Sequence, residues 1–192
     1  MKKNLILSYT FFLSFASIAT STPVQWSVGD GGNEHYYEAV YVPEGISWTD
    51  SDVAATAKGY DWHLVTITSA EENAFVYSLI IDDPDIWNCC LGGQSSGPWL
   101  GGYYVGPTKD DYAWVTDEPF VYTNWGPSEP YGNGDRISFY SPTGTTSPYW
   151  NDVADYQPSL TCLGYIVESE TVPEPATLLL LGLGGLMLRR CR

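Results

Sequence analysis

The first third of the chain mixes strand-like and helix-like patterns of apolar positions. Residues 36–42 (YYEAVYV) alternate weakly and are rich in Tyr and Val, which is typical of a strand. An acidic run rich in capping residues follows at 47–52 and leads into VAATA, so we expect a short helix that ends at Gly59 with acids at its N-terminus. Residues 63–67 (HLVTI) predict a compact apolar strand.

A second helix is predicted from the capping pattern that comes next. Ser69 and Glu72 have the spacing of a capping box, in which each side chain satisfies a backbone N–H of the other residue. In the helix that they open, Val76 and Ile80 fall on one face because they are four residues apart. We therefore expect this face to pack into the core.

Beyond residue 84 the helical periodicity ends, and Gly, Pro, Trp and Tyr become frequent. Short strands are predicted at 99–105, 113–116, 137–140 and 162–168. Helices early in the chain and strands with long loops later are typical of an α+β domain rather than an alternating βαβ domain. Loops of this length usually carry function or are held by ions or disulfides.

The N-terminal segment has the composition of an export signal. Lys2 and Lys3 precede an apolar block at 5–18, and small residues follow that block. This order is typical of a secretory signal peptide and fits better than a buried N-terminal helix. We expect residues 1–22 to be a signal peptide that is removed on export.

The C-terminal segment of residues 172–192 contains VPEP, then thirteen uncharged residues at 176–188, then a basic end. Thirteen is fewer than the roughly 20 residues that a helix needs to cross a bilayer. In this order the three features resemble the PEP-CTERM sorting signal of Gram-negative bacteria. The resemblance implies transient inner-membrane insertion of the tail, recognition by an exosortase-type protease, and a final location at the cell surface or in the extracellular matrix.

Removing both ends leaves a strongly acidic domain of residues 23–171. Its fixed cations are Lys58, Lys109 and Arg136, against 22 Asp and Glu, which gives a net charge of −19. This charge excludes nucleic acid as a partner because a phosphate backbone would be repelled, whereas divalent cations are attracted. A generally acidic surface suited to a salty habitat explains most of the excess, so only acids that converge would indicate a site.

Cysteine and histidine offer little chemistry in this domain. Export permits a disulfide, and either Cys89 or Cys90 could pair with Cys162, since adjacent cysteines bond to each other only with strain. The sequence does not choose between the two. His35 lies in a polar lead-in and is expected to face solvent. The spacing supports no Ser-His-Asp or Cys-His arrangement, so we expect a non-catalytic domain.

Six short motifs occur in the order of a C-type lectin-like domain. They are HLVTITSAEENAFVYSL, WLGGYY, AWVTDEPFVYTNW, EPYGNGD, YWND and GYIVE, and they lie between residues 36 and 168. The resemblance implies an α+β double-loop fold: two helices with small antiparallel sheets and a long loop region. In this family a Glu-Pro-Asn loop and a Trp-Asn-Asp strand bind calcium (Ca2+), and two vicinal sugar hydroxyls complete its coordination. The implied partner is a carbohydrate, such as the cell's own exopolysaccharide.

Carried over motif by motif, the resemblance implies four metal ligands. Glu129 is the loop carboxylate, Asn151 and Asp152 are the strand pair, and Asp135 is a further acid. Their chemistry suits the ion independently, because calcium prefers six to eight oxygen ligands from carboxylates, amides, backbone and water. The same resemblance makes Glu129, Asn151 and Asp152 sugar contacts.

The loop departs from the family at Tyr131, where Asn or Asp is usual. A neutral phenol is a poor calcium ligand, so the sugar preference cannot be read. Asn133 could substitute in a rearranged loop, and Tyr131 could offer an aromatic face to a sugar. Gly132 and Gly134 allow a tight turn, and Pro130 resembles the family's cis-proline. Two interpretations stay open: calcium-dependent carbohydrate binding, or an adhesion or protein-interaction domain with a degenerate calcium site.

The sequence also departs from the family at its two disulfides, whose cysteines it lacks. Asp155 and Val167 stand where the family usually has cysteines, and alanines such as Ala54 and Ala57 stand where a partner would lie. The core is then expected to depend on apolar and aromatic packing, with four candidate tryptophans: Trp48, Trp99, Trp114 and Trp150.

Overall fold

The computed structural model describes residues 22–89, 93–155 and 162–171. In these ranges it has two α-helices, α1 (Trp48–Ala57) and α2 (Ala70–Ser78). The strands, in chain order, are β1 (Val24–Gln25), β2 (Tyr36–Tyr41), β3 (Trp62–Leu64), β4 (Asn88–Cys89), β5 (Ser95–Tyr104), β6 (Tyr112–Trp114), β7 (Arg136–Ser141), β8 (Tyr149–Val153) and β9 (Gly164–Ser169). The predicted α+β class is confirmed.

The strands join into one hydrogen-bonded network in the order β1-β2-β9-β5-β7-β8, with β3 on β9 and with β4 and β6 on β5. The described pairs are antiparallel except for β5 and β9, which meet at the parallel pair Trp99 and Tyr165. The small antiparallel sheets expected from the sequence are therefore two antiparallel groups joined at this point. Strand β8 lies at the end of the order, and the segment around Trp125 bridges to Trp150 on it.

The second helix begins where its capping box predicts, whereas the first begins inside the acidic run, at Trp48, and ends at Ala57, two residues before the predicted Gly59. The Ser47 hydroxyl accepts a hydrogen bond from the backbone N–H of Asp50, and the Ser69 hydroxyl accepts one from that of Glu72. The reciprocal half of the second capping box is different, because the Glu72 carboxylate accepts from the backbone N–H of Thr68 at 2.7 Å. Glu72 is buried and turns back into the core, so its carboxylate satisfies the backbone N–H of the residue before the N-cap, Thr68.

The core has two apolar clusters that contain the four predicted tryptophans. One lies under α2 and the long loop region, and the other lies between α1 and the sheet. Three of their indole N–H groups donate hydrogen bonds: Trp48 to the Leu100 carbonyl, Trp99 to the Ile46 carbonyl, and Trp150 to the Asn73 side chain. The buried Nε1 of Trp114 has no partner among the described residues. Aromatic packing, with three of these four polar tips satisfied, thus stabilises the described core.

Asp155, at a position where the family usually has cysteine, connects β8 to α1 by hydrogen bonds. Its carboxylate accepts from the backbone N–H of Thr49 at 2.9 Å and from the Thr49 hydroxyl at 2.6 Å. Val167 is fully buried in the second cluster. Cys162 is also fully buried. The side chain of Cys89 and all of Cys90 lie outside the described residues, so their pairing with Cys162 stays a prediction.

The expectation that His35 faces solvent is wrong. Its ring is half-buried, and its Nδ1 lies 2.7 Å from the carboxylate of Glu168 on β9. The Tyr37 hydroxyl donates at 2.6 Å to Glu72 and lies 3.1 Å from Glu168, so two buried carboxylates share one phenol. Pairing of β2 with β9 places Tyr37 opposite Glu168, and the polar segment before β2 that contains His35 thereby lies against the Glu168 carboxylate.

The predicted signal peptide lies outside the described residues except for Thr22, and the predicted tail of residues 172–192 lies wholly outside them. Within the ranges that are described, the helices are too short or too polar to cross a membrane.

Candidate functional site

One pocket beside β8 gathers the predicted ligand-binding residues. It has a volume of about 240 Å³ and is lined by Gln94, Glu129, Tyr131, Asn133, Asn151, Asp152 and Val153. Strand β8 contributes the Asn-Asp-Val segment, and the loop before β7 contributes the Glu, Tyr and Asn. The structure therefore places residues that are 22 positions apart in sequence, Glu129 and Asn151, in one depression.

Asp152 holds the loop against the strand. It is 2% exposed, and its carboxylate accepts three backbone N–H groups: Tyr131 at 2.8 Å, Gly132 at 2.9 Å and Gly134 at 2.9 Å. Hydrogen bonds to an ionised acceptor are stronger than neutral ones. A single buried carboxylate thus fixes the conformation of the loop.

Two glycines allow this close approach. Gly132 has a φ of 84°, a conformation that L side chains rarely adopt. A Cβ on Gly134 would lie 2.2 Å from the backbone of Asp152, so only glycine fits between the loop and β8. The Glu129–Pro130 peptide bond is cis, as predicted, and the Lys109 ammonium donates to the Pro130 carbonyl at 3.3 Å.

Glu129 and Asp152 form a pair of like charges at this pocket. Burial raises the pKa of the half-buried Glu129, and the neighbouring Asp152 raises the pKa further through its charge and a side-chain hydrogen bond. Lys109 and the backbone N–H of Tyr131, which donates to Glu129 at 2.9 Å, oppose this rise only in part. A cation between the two carboxylates would relieve their repulsion.

Asn151 adds an amide oxygen that lacks a partner. Its Oδ1 is buried and has no hydrogen-bond partner in the described structure. A buried polar atom without a partner costs free energy, and a water, an ion or a ligand at the pocket would satisfy this one. This oxygen and the two carboxylates of Glu129 and Asp152 are hard donors of the kind that calcium prefers. The donor chemistry is of the kind that suits the ion, while both oxygens of Asp152 already accept backbone N–H groups.

Asp135, the fourth member of the predicted metal set, does not line the pocket. Its carboxylate pairs with Arg136 at 3.2 Å and accepts from the backbone N–H of Asp155 at 3.1 Å. Within the ranges that are described, no group of three or more His, Cys, Asp or Glu side chains is arranged to hold a metal. Asp135 as a ligand stays a prediction, while in the structure it supports the segment that follows β8.

The rim of the pocket is aromatic and amide-rich. Tyr131 is 74% exposed, and Asn133 beside it is also exposed. Gln94, which the sequence did not suggest, joins from the turn before β5. It lies 35 residues upstream of Glu129 in a Gly- and Ser-rich stretch, and nothing in that stretch indicates a ligand. The pocket can therefore offer acceptors, amide donors and an aromatic face.

Comparison with family models matches residues 171–192 to the PEP-CTERM protein-sorting motif. Among curated relatives, the beta subunit of the snaclec bothrojaracin of Bothrops jararaca is 30% identical over 112 residues, which cover 56% of this chain and 71% of the snaclec. C-type mannose receptor 2 of Homo sapiens is 28% identical over 98 residues. These cover 51% of this chain but only 6% of the receptor.

Solved structures agree on the fold. The carbohydrate-recognition domain of cow CD23, crystallised with a GlcNAc2Man3 oligosaccharide, has a TM-score of 0.54 at 19% identity and covers 73% of this chain and 92% of that one. A calcium-independent type II antifreeze protein also has a TM-score of 0.54, at 17% identity, and covers 80% and 98%. None of these relatives and structures is named as an enzyme, which agrees with the expectation of a non-catalytic domain. With its fold, its loop pocket and its snaclec relative, the chain belongs to the C-type lectin-like domain family and carries a PEP-CTERM sorting motif.

Proposed function

We propose that this protein is an exported carbohydrate-binding module whose loop pocket takes calcium together with sugar hydroxyls. The observation that carries the proposal is the buried, unpartnered Oδ1 of Asn151 beside the like-charged pair of Glu129 and Asp152. Glu129 and Asn151 would ligate the ion, and the neighbouring carboxylate of Asp152 would add negative charge. Bound calcium would supply open coordination positions for two adjacent hydroxyls of a sugar.

The chain's own residues would do the rest of the recognition. The carboxylate of Glu129 and the amides of Asn133 and Gln94 can exchange hydrogen bonds with hydroxyls, since carboxylates accept and amides both donate and accept. The exposed ring of Tyr131 gives the apolar face of a sugar a surface to pack on. Asp152 would act mainly through position, because its three backbone hydrogen bonds keep the loop in place.

The sorting motif supports a location outside the cytoplasm. A PEP-CTERM motif at residues 171–192 implies export and membrane-associated sorting. We infer that residues 1–22 are removed as a signal peptide, that residues 23–171 form the working domain, and that an exosortase-type protease acts on the tail. The domain would then reside at the cell surface or in the extracellular matrix of a Gram-negative bacterium, next to exopolysaccharide.

A second candidate is an adhesion or protein-interaction domain with a degenerate calcium site. The observation that favours it is the full engagement of Asp152, whose two oxygens already accept three backbone N–H groups. Tyr131 also stands where the family has a ligand. In this case the loop would be stable without metal, and the exposed Tyr131 would contact a protein partner.

A glycan array probed with the purified protein in calcium and in chelator tests the proposal. We expect sugar-dependent signals in calcium that disappear in EGTA and in the Glu129→Gln variant. Asp82→Asn is the matched control, because Asp82 is an exposed carboxylate outside the pocket. Array signals that are unchanged by EGTA and by Glu129→Gln would contradict calcium-dependent binding. A blank array in calcium would favour the second candidate.

A further inference from the structure

A second and larger cleft lies on another part of the domain. Its volume is about 470 Å³, within the range of small-molecule sites, against about 240 Å³ for the loop pocket. It opens between the end of α1, strand β3, and the segments that follow β6 and β9. Strand β9, which pairs with β3, is three strands from β8 in the order β9-β5-β7-β8. The cleft and the loop pocket therefore share no residue.

The cleft presents an aromatic ring to solvent. Tyr60 is fully exposed on the short turn that joins α1 to β3. The turn is anchored by the hydrogen bond from the Trp62 N–H to the Gly59 carbonyl at 3.3 Å. Trp62 itself is 8% exposed and has the Lys58 ammonium 5.2 Å from its ring centroid. The exposed ring of Tyr60 and the largely buried Trp62 both line the cleft and give it an apolar surface.

Polar groups of both hydrogen-bonding types surround this ring. Asp61 and Glu170 contribute carboxylate acceptors, and Thr56 contributes a hydroxyl that both donates and accepts. The half-buried ring of His63 lines the same cleft, with its Nδ1 held 2.9 Å from the Leu64 carbonyl. That contact makes Nδ1 the protonated nitrogen of the neutral ring and leaves Nε2 as an acceptor.

These features disfavour two ligand classes. The carboxylates of Asp61 and Glu170 would repel phosphates and acidic polymers. The apolar surface is limited to Tyr60, the edge of Trp62 and Val115, which is too little for a lipid chain. A neutral sugar matches the combination, because its C–H face packs on an aromatic ring while its hydroxyls donate to carboxylates.

We propose that the cleft around Tyr60, Asp61, His63 and Glu170 is a second, calcium-independent binding site for neutral saccharides. The proposal shares the ligand class of the loop pocket but uses none of its residues. A domain with two separated saccharide sites can hold two segments of one polymer. Their combined affinity then exceeds that of either site when the polymer can reach both.

Saturation-transfer NMR and calorimetry on the purified protein in EGTA test the second site, with neutral gluco-, manno- and galacto-hexasaccharides as probes. We expect saturable binding of at least one probe without calcium. Tyr60→Ala should weaken it about tenfold or more, the size of loss typical of removing a central aromatic contact. Tyr60→Phe should keep most of the affinity because the ring face remains. Tyr131→Ala, which alters only the loop pocket, should leave the EGTA-resistant binding unchanged.

Three results would overturn the second site: no probe binds in EGTA, Tyr60→Ala binds like the parent protein, or Tyr131→Ala removes the EGTA-resistant binding. None of them depends on calcium. Because Tyr60 is fully exposed, its substitution leaves the core intact, and unchanged thermal unfolding of Tyr60→Ala verifies this. Failure of the second site in EGTA and failure of the loop pocket in calcium are therefore separate results.

Discussion

The roles assigned to Asp152 and Asn151 predict effects of very different size for two neighbouring substitutions in metal-free protein. Asp152→Ala removes the acceptor of three backbone N–H groups, those of Tyr131, Gly132 and Gly134. A hydrogen bond to a charged group contributes about 1.5–3 kcal/mol, and the values are not additive. Three such bonds at the low end would amount to about 4.5 kcal/mol. Since Tyr131 and Gly132 are exposed and their N–H groups can bind water, we expect a smaller loss, about 3 kcal/mol, in the free energy of unfolding.

Asn151→Ala is the matched control for that substitution. The Oδ1 of Asn151 has no partner, so removing it should change the free energy of unfolding in EGTA by less than about 1 kcal/mol. Urea unfolding followed by tryptophan fluorescence measures both variants, with an unchanged dependence on urea as the check that the unfolded states are comparable. A loss of under about 1 kcal/mol in Asp152→Ala, or an equal loss in Asn151→Ala, would show that the Asp152 carboxylate does not anchor the loop.

Three further predictions concern other charged groups of the domain. The Glu168 carboxylate raises the pKa of His35. The stability that this pair contributes is therefore complete below the ordinary pKa of 6.5 and falls as pH rises through the raised value. His35→Gln should flatten that decline in urea titrations from pH 6 to 9. A decline that persists in His35→Gln would place its origin elsewhere. Burial and the neighbouring Asp152 raise the pKa of Glu129. Calcium affinity measured by calorimetry should therefore weaken on acidification at a pH above the usual range of a glutamate. An affinity that does not depend on pH would exclude Glu129 as a ligand. Asp155→Ala should cost about 1–2 kcal/mol in urea unfolding, because it removes both hydrogen bonds to Thr49 at the start of α1, and a neutral result would show that these bonds are replaced by water.

The local signals predicted the helices better than the strands. Ser47 and Ser69 mark the helix starts because an N-cap acts within four residues of sequence. The prediction starts β5 at Trp99, but the strand begins at Ser95, since its pairing with β4 and β7 overrides a Gly-, Ser- and Pro-rich stretch that resembles a turn. Strand limits depend on partners distant in sequence, which periodicity does not contain.

The candidate site was predictable where the chain carries the family motifs, and not where other segments reach the pocket only through the fold. The EPYGNGD and YWND motifs indicated the residues that the structure places in one pocket. Gln94 could not be found, because its turn reaches the pocket only through the position of β5. The orientation of Asp135 toward Arg136 and Asp155 was equally hidden, since adjacent cations and backbone donors compete with a metal for a carboxylate. The contacts of His35 depend on the pairing of β2 with β9.

Whether the loop pocket binds calcium can be measured by isothermal calorimetry of calcium titrated into metal-free protein. We expect saturable binding of calcium in preference to magnesium, with the affinity lost in both Glu129→Gln and Asn151→Ala while Asp82→Asn binds like the parent protein. Absence of calcium binding, or calcium binding that survives both pocket substitutions, would show that the loop pocket is not a calcium site.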